Sequence, residues 1–419
     1  MHLKLKLVNI GMFFLILSLS LGFYSEVFKI FGVDSLQNIL TLLFLSFSVV
    51  CSKHKKIPKT IFFVGVAFFL IVIANILHGF YYMGFVSHII TYSVYKMYFL
   101  FLMAIVFSCY DNTKVILSLR WCFILLSMPL FIYYLLSQLH ITSYVNRLVV
   151  FNGTPPILRF AGFVGEPAQF AELASLLLLS CWCYQREGYK GKIEKAIIFS
   201  LLFFTYSNTI LVGFFILLII ELIYKGNFLK ILLGIAVFVC LLYLMDFKLL
   251  RLDLDVEYIW LLINNIGSSD LANFNPGYTN AINIRLFEFL SRLSWGWDNF
   301  IGAGLGSTYF LALAQNKISS DLTIDKVNLF GGIRIAYELG FFFFLSLLVS
   351  YLILLKRVFY RNIYYFRVLV YIFVSMFFMN GVYSNYNWLL LVAICISYVK
   401  INYAQVTSSQ GRLCDSIIR

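Results

Sequence analysis

Glu166-Pro167 stands directly before a long apolar run, with Arg159 a short way upstream. Proline suits the first turn of a helix, where its missing N–H costs no hydrogen bond. Glu166 then falls where the helix dipole favours a carboxylate. Two readings stay open: a plain charged helix start, or a carboxylate base with a guanidinium nearby at the boundary of water and lipid. A second set is Arg285 and Arg292, two helical turns apart on one face, followed by Gly302-Ala-Gly304-Leu-Gly306-Ser307. These glycines lie in no βαβ unit, which excludes a dinucleotide fingerprint. They suit a tight turn or a nest of backbone N–H groups around an anion. A third set is Asn328, Arg334 and Glu338, the last two spaced i, i+4 inside an apolar run. An unpaired charge at mid-bilayer costs about 2.5–3.5 kcal/mol, so either mutual pairing or a polar cavity is expected. Lys96, about a third of the way into another apolar run, either snorkels outward or lines a cavity facing an anion.

The elements that must carry these residues are membrane helices. Of 419 residues, 62% are hydrophobic and 12% charged, where a soluble domain has about 45–50% and about 25%. Apolar runs of spanning length recur along the chain, which reads as an all-α, polytopic integral membrane protein in a single membrane domain, 1–419. About twelve transmembrane helices are expected, at 8–24, 36–51, 60–78, 88–109, 117–136, 168–183, 196–207, 209–224, 229–247, 329–355, 368–384 and 388–402. A hairpin turning near Ser207-Asn208-Thr209 places every basic loop on one side. That side gathers 21 of the 32 lysines and arginines. The positive-inside rule makes it the cytoplasmic side and puts both termini there. The net charge of +13 is then mainly topogenic, and no nucleic-acid partner is expected.

Two long loops share the opposite face, 137–167 and 248–328. The second is too long to lack structure. Its stretches 256–266 and 281–293 suit short helices on the membrane surface, with Trp260, Trp295 and Trp297 as interfacial anchors. The eight cysteines avoid these loops, which argues against a disulfide framework or a zinc site. Asp253-x-Asp255 has the spacing of a metal-binding pair but sits in a short acidic stretch. None of the five histidines falls in the second loop, so neither a metal cluster nor a Ser/His/Asp triad is visible.

In these pieces the chain resembles the O-antigen polymerase family (Wzy), within the group that also holds the O-antigen ligases. The resemblance rests on Arg159-x-x-Gly162-x-x-x-Glu166-Pro167 before a span and Thr205-Tyr-Ser207-Asn-Thr at the hairpin turn. It also rests on Arg285 followed by Phe300-Ile-Gly302-Ala-Gly304-Leu-Gly306-Ser307, and on Asn328 ten residues before Glu338-Leu-Gly340. The order of these pieces covers nearly the whole chain. The ligases typically carry a histidine just before that asparagine; here Val327 occupies the position, which favours the polymerase.

The resemblance implies a GT-C-type architecture in the bacterial inner membrane, with a large periplasmic loop and the active site facing the periplasm. It implies a metal-independent glycosyltransferase of lipopolysaccharide biosynthesis, with no cofactor. Its substrates are oligosaccharide repeats linked to undecaprenyl pyrophosphate, and the growing chain moves onto the next lipid-linked repeat. A chain-length regulator and a flippase of the same pathway are the implied partners. On this reading Glu166 and Arg159 are catalytic. Arg285, Arg292, Arg334, Lys96, Asn328 and Glu338 handle the substrate and its pyrophosphate. The alternatives are an O-antigen ligase and a lipid-linked oligosaccharide flippase or transporter.

Overall fold

The structure, a computed structural model, describes residues 2–21, 34–52, 59–84, 86–138, 160–162, 167–184, 191–205, 295–297, 299–315, 331–360, 362–378 and 387–398. Its regular elements are helices: α1 (His2–Leu21), α2 (Asp34–Val50), α3 (Lys59–Met83), α4 (Ser87–Cys109), α5 (Asn112–Gln138), α6 (Pro167–Cys183), α7 (Lys192–Phe203), α8 (Thr308–Ala314), α9 (Gly331–Glu338), α10 (Phe341–Phe359), α11 (Ile363–Phe378) and α12 (Asn387–Tyr398). No strand occurs among the described residues. A helix satisfies its own backbone N–H and C=O groups, as a lipid environment demands.

Four of these helices are long and apolar enough to cross a membrane: Gly65–Met83, Ser87–Cys109, Asn112–Ser137 and Phe341–Phe359. On α10 the residues Phe342, Leu345, Val349, Leu352 and Ile353 are all exposed. An apolar stripe of that kind suits lipid rather than water. Lys356 and Arg357 close the same helix in its last turn, where basic side chains interact favourably with the helix dipole. The chain is thus a membrane protein, all-helical among the described residues.

The spans expected at 209–224 and 229–247 lie outside the described residues. Helix α7 stops at Phe203, just before the expected hairpin turn at 207–209. The expectation of one unbroken span over 329–355 is corrected: the helix stops at Glu338 and restarts at Phe341. Gly340 takes φ +93° and ψ 148° there, a backbone region essentially restricted to glycine. The turn closes because Leu339 N–H donates to Ile335 O at 2.9 Å, while Phe341 N–H donates to Asn299 O at 2.8 Å. The α9 segment is therefore a separate short helix, and it carries Arg334 and Glu338.

Helices α1, α2, α4 and α5 pack around a buried core that includes Leu15, Leu45, Phe99, Met103, Phe107 and Phe123. Helix α6 packs against α5, α7 and α11. Between α4 and α5, Tyr110 donates its hydroxyl to Ser48 O at 2.8 Å, and burial pushes its phenol above the usual range, which keeps the donor protonated.

Arg120 is not simply a topogenic charge. It is buried in α5, with Nε 3.3 Å from Glu194 Oε2 on α7. Its terminal nitrogens donate to the carbonyls of Ser180 and Tyr184 at 3.0 and 3.1 Å. It therefore caps the end of α6 and joins three helices. Breaking a buried pair by removing one partner costs about 3–5 kcal/mol, whereas an apolar replacement of both is often nearly neutral. Arg120→Met is accordingly expected to lower the temperature at which the detergent-purified protein loses its monodisperse peak. Arg120→Met/Glu194→Leu should recover much of that loss, and heating followed by size-exclusion chromatography measures both.

Candidate functional site

The glycine-rich stretch expected as a turn or an anion nest is both. Gly302, Gly304 and Gly306 have φ of +85°, +101° and +81°. These angles turn the backbone N–H groups toward one residue, Glu338 at the end of α9. Ala303 and Gly304 N–H donate to the Glu338 backbone carbonyl at 2.9 and 2.8 Å. Gly306 N–H donates to Oε2 at 2.9 Å and Thr308 N–H to Oε1 at 3.3 Å. The Thr308 hydroxyl also donates to Oε1. Arg334, one turn earlier on α9, places Nε 3.2 Å from the same oxygen. The anion held by the nest is thus the protein's own carboxylate. Glu338 organises the turn.

The turn is seated on the ends of α3 and α4. His78 Nδ1–H donates to Gly302 O at 2.6 Å. Asn75 Nδ2 donates to Leu339 O at 3.2 Å, and Asn299 Nδ2 donates to Tyr337 O at 3.1 Å. The approach at Gly79 is close: a Cβ there would stand 2.4 Å from Ala303 O. Ala303, Leu311, Ala312, Ile333 and Tyr337 form a small core of their own beneath the turn, with Met83 and Trp295 against it. Trp295 therefore serves this core, packed on Tyr337, while Trp297 is exposed and packs on Phe341. Trp260 lies outside the described residues.

Lys96 resolves in favour of the cavity. It is 5% exposed on α4, and it lines a small cavity of about 20 Å³ together with Glu338, Tyr92, Leu305, Ile335 and Trp388. That is room for about one water molecule. Its Nζ lies 5.5 Å from the Tyr92 ring centroid and 5.9 Å from that of Tyr95, within the range of a cation–π contact. His88 stacks on Tyr92 one turn nearer the start of α4. His88, Tyr92 and Lys96 thus form a stripe at i, i+4, i+8 that runs from the glycine turn into the cavity.

The structure brings together three of the residues expected from sequence: Lys96, Arg334 and Glu338. The other five, Glu166, Arg159, Arg285, Arg292 and Asn328, lie outside the described residues. Near the first two, Pro167 opens α6 as expected. Phe160 N–H donates to Phe204 O at 3.0 Å, and its ring packs against Phe131, Tyr134 and Phe170. Gly162, at φ +56°, lies so close to Phe170 that a Cβ would stand 2.3 Å from its ring. Residues 160–162 are thereby anchored between α5, α6 and α7.

Sequence reading missed Asn75, His78, His88, Asn299 and Thr308. Only the His88-Tyr92-Lys96 spacing gave a signal. It also missed Glu172 on α6, whose Oε1 accepts from Asn387 Nδ2 at 2.6 Å and from the Ser375 hydroxyl. Among the described residues no group of three or more His, Cys, Asp or Glu is placed to hold a metal ion.

The fold and the site define an integral membrane protein with a charged cluster enclosed by its helices. Comparison of the chain with family models, with curated proteins and with solved structures gives no match.

Proposed function

We propose that this protein is a polysaccharide polymerase of the O-antigen type. It transfers a growing glycan from undecaprenyl pyrophosphate onto a hydroxyl of the next lipid-linked repeat. The observation that carries the reading is the convergence of Lys96, Arg334 and Glu338 with the glycine turn at one end of the bundle. These residues come from three distant parts of the chain, and they meet at the end of α3 and the start of α4. On the positive-inside reading, the basic loops lie at the other end. The proposal includes twelve spans, a GT-C-type architecture, an inner-membrane location with cytoplasmic termini, and chemistry at the periplasmic face.

The reaction needs two things from the protein. A pyrophosphate leaving an anomeric carbon gains charge, which cations must stabilise. Arg159, Arg285, Arg292 and Arg334 carry planar forks that match phosphate oxygens, and Asn328 supplies a neutral donor. Lys96 adds a point charge from below, and Glu338 fixes Arg334 and the turn. One preorganised contact of this kind contributes about 2.7–4 kcal/mol to a transition state. The attacking sugar hydroxyl has a high pKa and needs a base, for which Glu166 at the start of α6 is the candidate. The chemistry proceeds without a metal ion in this account, as a single displacement with inversion.

In membranes supplied with lipid-linked repeats, Glu166→Gln is expected to abolish chain growth while the protein inserts at the wild-type level. A polymer ladder against the quantity of protein in the membrane measures this. Full activity in the variant would remove Glu166 from the base role.

The break between α9 and α10 favours a second reading, since transporters also build their substrate sites from interrupted helices. A flippase would leave lipid-linked repeats on the cytoplasmic leaflet when deleted; a polymerase would leave them on the outer one. A ligase would instead leave finished polymer on its lipid carrier.

A further inference from the structure

Glu172 is a carboxylate on α6 set among α6, α11 and α12. It is half-buried, and an ionisable side chain on an apolar helix of a membrane protein is expected to have a task and named partners. The partners are the Ser375 hydroxyl on α11 and Asn387 Nδ2 on α12, the latter at 2.6 Å. Asn387 Nδ2 also lies 2.8 Å from Ser375 Oγ. Both Ser375 and Asn387 are buried, so each needs its acceptor inside the protein.

These partners adjoin the cavity described above. Asn387 opens α12, and the next residue, Trp388, is a wall of the cavity that holds Lys96 and Glu338. Ser375 is followed two residues later by Phe377. A Cβ on Gly332 of α9 would stand 3.1 Å from the Phe377 carbonyl oxygen. The two residues that hold Glu172 thus stand directly beside two contacts of the charged cluster: the Trp388 wall, and the seat of the helix that bears Arg334.

We propose that Glu172 is a positioning residue of this site, a carboxylate latch that holds Trp388 and α9 in place through Asn387 and Ser375. As a contributor to glycosyl transfer it rests on the polymerase reading. As a latch it does not, and the experiment below needs no turnover.

The full chain, purified in detergent, is treated with formaldehyde and a mild borane reductant. Dimethylation of Lys96 is then followed by mass spectrometry, with exposed Lys114 as the internal reference. In the wild type Lys96 is expected to be modified far more slowly than Lys114. Glu172→Leu removes the acceptor, and Asn387→Asp sets a second carboxylate against the first. Each is expected to speed Lys96 modification about ten-fold by local opening, with Lys114 unchanged. Glu172→Gln/Asn387→Asp restores a donor facing an acceptor, with the direction reversed, and is expected to return Lys96 to its wild-type rate. Rescue of a poorly folding Asn387→Asp by the same second substitution would equally support the latch.

Two results overturn the proposal. One is well-folded Glu172→Leu and Asn387→Asp proteins in which Lys96 stays as slow as in the wild type. The other is a double variant that fails to restore what Asn387→Asp loses. Wild-type protein that shows the expected protection pattern but makes no polymer would leave the latch standing and overturn the polymerase reading.

Discussion

Glu338→Leu is expected to abolish polymer formation, with a loss of at least about a hundredfold, the scale of removing an essential preorganised group. The carboxylate accepts from two backbone N–H groups and one hydroxyl, and it faces the Arg334 guanidinium. Hydrogen bonds to a charged group contribute about 1.5–3 kcal/mol each. Leucine would leave the Gly306 and Thr308 donors without the Glu338 acceptor and take the Glu338 charge away from Arg334. The turn would then open, and Arg334 would lose its fixed position beside the cavity. Glu338→Gln should lose nearly as much. An amide accepts through one oxygen, and its NH2 would point at groups that are themselves donors. Polymer produced per unit of membrane-inserted protein is the measure, and wild-type polymer from Glu338→Leu would mean that the cluster has no part in the reaction.

The second large effect is expected from the glycines at the break. Gly302 and Gly340 press two backbone segments together. A Cβ on Gly340 would stand 2.4 Å from the carbonyl carbon of Ile301, and one on Gly302 would stand 2.4 Å from the Gly340 nitrogen. Backbone on both sides gives neither substitution room to relax, and both positions have positive φ, which adds about 1–3 kcal/mol of strain for a residue with a Cβ. Gly340→Ala and Gly302→Ala are therefore expected to leave little monodisperse protein on size-exclusion chromatography of detergent extracts. Gly65→Ala is the matched control. Nothing stands within 4 Å of a Cβ there, so the yield should equal that of the wild type. Equal yields from all three proteins would contradict the close packing of the turn on the break.

What the sequence made legible, and what it hid, follows from how far each signal extends along the chain. Lys96, Arg334 and Glu338 stood out because a charge inside an apolar run is costly wherever it falls. The glycine turn stood out because alternate glycines fit few other backbone shapes. Pro167 marked its helix start locally. The break at Leu339–Gly340 stayed hidden because the apolar run 329–355 continues through it, and the hydrogen bonds that hold it reach back to Asn299 and Ala303. Arg120 read as one more cytoplasmic charge because Glu194 and the Ser180 and Tyr184 carbonyls approach it only in the folded bundle. Glu172 passed unnoticed beside Glu166-Pro167, and its partners Ser375 and Asn387 lie some two hundred residues away. A single sequence reveals which residues are expensive in a membrane. It does not reveal which distant residue compensates each of them.

Chain growth is tested most directly on the surface glycan itself. Lipopolysaccharide from a bacterial strain lacking this protein would be run on a gel beside the same strain carrying the gene again. Core bearing a single repeat is expected in the deletion, with the full ladder restored on complementation. Bare core without any repeat, or an unchanged ladder, would contradict the polymerase reading.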